Sequence, residues 1–365
     1  YFGKPLTCGY VAAGAFFPQK KGPIFLEARS GHGSWGHGTE IRRLPSREER
    51  ACFLTGTEHR NLRYLRGFRL SGGVPSWSVP PLFSILNWLS GNLGFGVYGV
   101  QVTAGIIFSY GLTKFCLTLP RPFLALTVAI PYLVIVVAMG YSRQGLAIGL
   151  VLLGLIALMD KRKTKFLILV LIASSIHKSA VILLPMLGYV SETNKIWNIV
   201  WVAFGCVIAF FVFVSAYIEF LIYGYFESEY NSSGAFIRLS MSMVCASIFL
   251  LFSKNFNFDN HNVLIWKFFS YASLVLFFGL FISPSSTALD RIALYFIPLQ
   301  LLVLSYLPEL FSRSKKFSQT LKWSIVFYCS MVLMVWLFFA DSSFRWIPYK
   351  SFLFELVDYK DTKLL

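Results

Sequence analysis

From residue 93 onward the chain alternates long apolar runs with short polar loops. The runs lie near 93 to 113, 123 to 140, 144 to 159, 199 to 222, 235 to 252, 264 to 283, 289 to 308 and 322 to 340, and a further apolar stretch occupies 166 to 190. Roughly 20 apolar residues in a helix cross the hydrocarbon core of a bilayer, so the pattern predicts about eight to ten membrane-spanning segments. Backbone exposed to lipid must satisfy its own hydrogen bonds, and the period-two alternation of barrel strands is absent. The predicted fold class is therefore all-α, a polytopic integral membrane protein.

Residues 1 to 80 break this pattern. They contain no apolar run long enough to cross a bilayer, and "ARSGHGSWGHGTEIRRLPSREER" has neither helical nor strand periodicity. They also hold 12 of the 27 glycines, with 12 Lys+Arg against 5 Asp+Glu. Two readings stay open for this basic segment: a disordered polar extension, or a non-native stretch such as a shifted-frame translation, with true spans missing upstream. The chain starts at Tyr1 rather than Met, so an incomplete sequence is expected. Residues 81 to 365 form the membrane domain.

Composition agrees with the pattern. Charged residues make up 14% of the chain and hydrophobic ones 56%, with a mean hydropathy of +0.63; a soluble domain carries about 25% charged residues. A net charge of +16 would point to nucleic acid in a soluble protein. In a membrane protein it points to basic cytoplasmic loops and an anionic ligand, and no nucleic-acid partner is expected. Six cysteines, at 8, 52, 116, 206, 245 and 329, show no CxxC or metal spacing and read as free thiols.

Orientation follows from the basic loops. "DKRKTK" (160 to 165) and "SRSKKFSQTLK" (312 to 322) mark the cytoplasmic side. Walking span by span from the second, "SPSSTALDR" falls outside, "SKNFNFDNHN" inside, "YFESEYNSSGAFIR" outside and "SETNK" inside. The loops "DKRKTK" and "SETNK" then share a side although one apolar stretch separates them, and that stretch has a polar centre, "SSIHKSA" (174 to 180). Either 166 to 190 is a pair of half-helices entering and leaving from the cytoplasm, with His177 and Lys178 near the tip, or it is one long tilted helix. Irregular backbone at that depth requires burial in protein or a cavity. "GYSRQ" falls outside and "KFCLTLPRP" inside.

Arg143, Arg238, Arg291 and Arg345 all reach the outer side in this arrangement. An arginine at mid-bilayer costs about 2.5–3.5 kcal/mol on insertion scales, and its planar fork matches phosphate or carboxylate. Four on one face predict a water-accessible cavity for a polyanion such as a lipid diphosphate. For each the alternative is structural: Arg291 paired with Asp290, or Arg345 snorkelling to the headgroups. His177 is the only histidine inside an apolar segment, a candidate general base or substrate-orienting group, or else a hydrogen-bonded core histidine; Lys178 adds a cation beside it. No nucleotide loop, GxSxG elbow, HExxH or DxD-like motif occurs at a plausible place. That favours a metal-free, cofactor-free reaction on an activated lipid donor, whose leaving group arginines can stabilise.

"IPYLVIVVAMGYSRQGLAIGLVLLGL" (130 to 155), "IASSIHKSAVILLP" (172 to 185), "SSGAFIRLSMSM" (232 to 243), "DRIALYF" (290 to 296) and "FRWIPYKSFLFE" (344 to 355) together resemble the EpsG-like family of Wzy-type repeat-unit polymerases. The resemblance covers about residues 82 to 357. It implies a GT-C-like, metal-independent glycosyltransferase of the bacterial inner membrane with its active site facing the periplasm or cell exterior. The implied reaction joins undecaprenyl-diphosphate-linked oligosaccharide units for O-antigen, capsule or exopolysaccharide, and the implied partners are a chain-length regulator and a flippase of the same pathway. Carried over by position, Arg143 and Gln144 match the family's RQ, His177 and Lys178 its HK position, Arg238 its GAxxR and Arg291 its later arginine. His177, Arg143 and Arg291 are then the expected catalytic residues, with Gln144, Lys178, Arg238, Asp290 and Arg345 expected to bind substrate. A membrane O-acyltransferase and a lipid-linked oligosaccharide flippase are the rival readings; the first predicts acyl-donor access from the cytoplasm, the second internal repeats, and none is found.

Overall fold

A computed structural model describes residues 80–190, 200, 203–205, 207, 234–283, 286–311, 314–340 and 343. The basic segment through residue 79, most of the 199 to 222 run, "SETNK" and Arg345 lie outside the described residues. The described backbone is helical throughout, without strands. In chain order the helices are α1 (Pro81–Asn92), α2 (Gly96–Leu117), α3 (Pro122–Ala129), α4 (Ser142–Met159), α5 (Lys163–Ser174), α6 (Pro185–Tyr189), α7 (Ala235–Phe252), α8 (Asn260–Gly279), α9 (Ser286–Ala293), α10 (Pro298–Leu310) and α11 (Lys315–Phe339).

Among the described residues five helical stretches are long and apolar enough to cross a membrane: α2, α4, α7 extended to Phe256, α8 and α11. A sixth candidate is the pair Ser286–Phe296 and Pro298–Leu310, bent by 52°. Pro298 sits at that bend; a proline removes one backbone donor and clashes with the preceding turn, which kinks a helix. Where helix limits depart from the apolar runs, caps explain it. The Ser314 hydroxyl accepts from the Phe317 amide at 3.2 Å, so α11 starts two polar turns before the apolar run. Asp259 does the same for Asn262 and starts α8 at residue 260.

The 123 to 140 run is a composite. α3 continues into a π-helix, Ile130–Ala138, with Pro131 in its first turn. A missing amide and a crowded ring there favour the wider i→i−5 pattern over the α-helical one. The 166 to 190 stretch is broken too. Ser174 and Ser175 bond back to the carbonyls of Val170 and Leu171, which competes with regular helix, and His177 is extended (φ −141°, ψ 109°). A 3₁₀ helix, Lys178–Leu183, then packs back against α5, and Tyr189 reaches Phe268 of α8 with ring centroids 5.7 Å apart. The regular helix is therefore interrupted at His177.

The described residues fall into two compact units. In one, residues 87–97, the turn between α1 and α2 is closed by the Ser90 hydroxyl donating to the Gly96 carbonyl at 2.6 Å, with Gly94 at φ +81°. The other, residues 80–86 and 98–343, holds the core, where Trp266, Tyr295, Phe115 and Phe166 are fully buried. Within it α2 and α4 cross at backbone contact: a Cβ added to Gly149 would lie 2.7 Å from the Phe108 Cα. Small residues allow such close approach where lipid supplies no hydrophobic drive between helices.

Polar ties collect at one end of this unit. Lys161 pairs with Asp259 at 3.2 Å, a His261 ring nitrogen bonds the Leu158 carbonyl at 2.7 Å, and Arg121 pairs with Glu309 at 3.1 Å. The loops after α2, α4, α7 and α10 thus share one face, in agreement with the alternation read from the basic loops. The starts of α4, α7 and α9 lie at the other.

Candidate functional site

That opposite face carries most of the candidate site residues. α4 begins with Ser142, Arg143 and Gln144; α7 begins just after Gly234, whose φ of +99° turns the chain into the helix. A Cβ there would also press on the Arg238 guanidinium, 3.1 Å from Nη1. α9 brings Asp290 and Arg291, and its 3₁₀ continuation brings Tyr295.

Arg238 and Asp290 form a bidentate pair: Nε donates to Oδ1 at 2.7 Å and Nη2 to Oδ2 at 2.6 Å, with both side chains largely buried. The guanidinium also sits 5.2 Å from the centroid of Tyr132, in the π-helix. The structure thereby corrects the alternative pairing of Asp290 with its neighbour Arg291. Successive residues on a helix point about 100° apart and do not face one another, so Asp290 reaches α7 while Arg291 points elsewhere.

Arg291 belongs to a second group. Its backbone carbonyl accepts from Gln144 Nε2 at 2.9 Å, which ties α9 to the start of α4. Gln144, read as a substrate-binding residue, is buried and holds the backbone of another site residue. Arg143 lies over the ring of Phe83, 5.4 Å from its centroid. Neither Arg143 nor Arg291 pairs with a carboxylate among the described residues. Both stand within electrostatic reach of the His177 imidazole.

His177 Nδ1 lies 3.0 Å from the Tyr295 hydroxyl. With the proton on Nδ1 the imidazole donates to Tyr295, and the Nε2 lone pair is left to accept a proton. Lys178 follows at the break, half-buried. The candidate catalytic trio of Arg143, His177 and Arg291 is therefore brought together. Arg238 and Asp290 form a separate pair.

Three aromatic partners escaped the sequence reading: Tyr295, Tyr132 and Phe83. Tyr295 had a usable signal, since it lies four residues after Arg291, a spacing that puts two side chains on one helical face. The other two had none, because an aromatic residue in an apolar run looks like core or lipid surface.

A cleft of about 220 Å³ opens between α3 with its π-helical extension, α7, α10 and α11. Arg238 and Asp290 are part of its lining. On its wall Gln300 donates to the Ser242 hydroxyl at 2.7 Å, so these two polar groups satisfy each other.

Compared with known proteins, residues 55–351 match the model of the EpsG family. That match begins inside the basic first segment. No curated protein and no solved structure matches the chain.

Proposed function

Since the chain belongs to the EpsG family of Wzy-like polysaccharide polymerase-type membrane proteins, we propose that it joins oligosaccharide repeat units carried on undecaprenyl diphosphate, at the outer face of a bacterial inner membrane. The observation that supports this most directly is the grouping of Arg143 and Arg291, without carboxylate partners among the described residues, around a histidine held by Tyr295.

In this reading a hydroxyl of the incoming lipid-linked unit attacks the anomeric carbon of the growing glycan. The bond from that carbon to the diphosphate oxygen breaks, and undecaprenyl diphosphate leaves with the electron pair. His177 Nε2 takes the hydroxyl proton. Arg143 and Arg291 bear the negative charge that develops on the leaving diphosphate, and fixed cations in a site of low dielectric act strongly on such charge. Their charge supplies this without requiring a metal ion. Lys178 supports the acceptor side. Arg238, its fork filled by Asp290, anchors α7 to α9 and so positions Arg291.

Complementation of a polymerase-deleted host of matching polysaccharide type tests the reading. Restoration of a chain-length ladder by the protein, and collapse of the ladder to a single repeat in Arg143→Ala and His177→Ala at normal protein level, supports it. Polymer persisting in both variants overturns the assignment of the site. Failure of single repeats to reach the outer face without the protein favours a flippase instead.

A further inference from the structure

The cleft has the shape and polarity of a lipid-chain site. Tyr328, Cys329, Val332, Val335, Trp336 and Phe339 line it from α11. They recur at spacings of three and four, one helical face. From Tyr328 to Ala340 this stripe runs roughly 18 Å along the helix axis, at 1.5 Å per residue. The facing wall is Leu133, Ile237, Met241, Leu294 and Ile297.

Arg238 and Asp290 neutralise each other in the cleft wall, and Gln300 bonds Ser242. Beyond these and the polar tips of Tyr132, Tyr328 and Trp336 the lining is mainly aliphatic and aromatic, and burying a sugar's hydroxyls without partners is costly. An apolar chain meets no such penalty. Other faces of α11 are open: Phe327 is 68% exposed and Phe338 74%. In a membrane those faces meet lipid, so a chain can enter sideways from the bilayer.

One short helix links this cleft to the guanidinium site. Asp290 lines the cleft, and Arg291 is the next residue of α9. We propose that the cleft holds the first isoprene units of the polyprenyl chain of the lipid-linked substrate, whose diphosphate engages Arg291 and Arg143. The inference rests on the function proposed above and names where the carrier lipid lies.

The test uses the full chain in nanodiscs and undecaprenyl diphosphate bearing a photoreactive group on an isoprene unit near the diphosphate, with labelled peptides mapped by mass spectrometry. Label is expected within residues 328–340 and 234–241. Val332→Trp and Ile237→Trp, each filling the cleft from a different wall, should lower it at least about tenfold, the loss of roughly two buried methylene groups. Binding of dimethylallyl diphosphate, too short to occupy the cleft, should not change in either variant. Equal labelling of lipid-facing α2, label unchanged in both tryptophan variants, or the same pattern from a phospholipid with a photoreactive acyl chain overturns the inference. Dimethylallyl diphosphate separates the two claims: if it fails to bind the unmodified protein, the diphosphate site itself falls, whereas if it binds and the label misses the cleft, only the chain site does.

Discussion

Asp290 holds Arg238 through both carboxylate oxygens, while the residue beside it on α9, Arg291, pairs with no carboxylate among the described residues. Adjacent positions on one short helix thus serve two neighbourhoods: Asp290 lines an apolar cleft, and Arg291 stands within electrostatic reach of His177.

Removing one member of the bidentate pair strands the other. Asp290→Asn is expected to destabilise the protein by about 3–5 kcal/mol, the usual cost of breaking a buried ion pair by deleting one partner. Thermal unfolding in detergent reads this. Arg238→Met with Asp290→Leu together should recover most of the loss, and an additive result would show that the two side chains act separately.

Arg143→Ala and Arg291→Ala should each lower polymer formation by about 10²–10³, the typical effect of deleting one preorganised group that stabilises developing anionic charge. Their melting temperatures should stay near that of the unmodified protein. Lysine replacements should restore little, because a point charge does not reproduce the planar fork. Chain-length analysis of extracted polysaccharide checks both points.

In the proposed reaction Tyr295 acts through His177, as a positioning residue. Tyr295→Phe removes the 3.0 Å contact to Nδ1 and should lower kcat by about tenfold, the lower range of effects on general-base catalysis, with KM nearly unchanged. The pH dependence of the rate should shift as well. A parallel fall in stability with an unchanged pH profile would assign Tyr295 a packing role only.

The crossing of α2 and α4 leaves no room for a side chain. Gly149→Ala would place a Cβ 2.7 Å from the Phe108 Cα, against backbone that cannot yield cheaply, and should cost about 1–3 kcal/mol as overpacking does. Gly105→Ala, with open space around it, is the control and should be neutral or mildly stabilising.

On the opposite face, partial burial pulls the Asp259 carboxyl upward, but the Asn262 amide and the Lys161 ammonium outweigh it and hold the group below its ordinary range. A depressed folded-state value adds stability that is fully present above the unfolded value, about 3.9, and is lost as pH falls through the folded one. Melting temperature should therefore drop below about pH 4, and Lys161→Ala should weaken that drop. The pair is well exposed, so the effect is small.

How much of this was legible in the chain follows from the physics of each feature. Apolar runs of about 20 residues report a solvent, the bilayer, that acts on each segment alone, so the helical class and several of the spans could be read in order along the sequence. The break at "SSIHKSA" was legible for the same reason: polar groups inside an apolar run are a local conflict. Pairing is not local. Arg238 meets Asp290 across 52 positions and His177 meets Tyr295 across 118, and nothing in either neighbourhood distinguishes the arginine that is neutralised from those that keep their charge. The local pattern along the chain was enough to bring several guanidiniums to one face of a helical membrane protein. Which of them binds a carboxylate emerged only on packing, because it depends on which way a side chain on α9 points once the helices have come together.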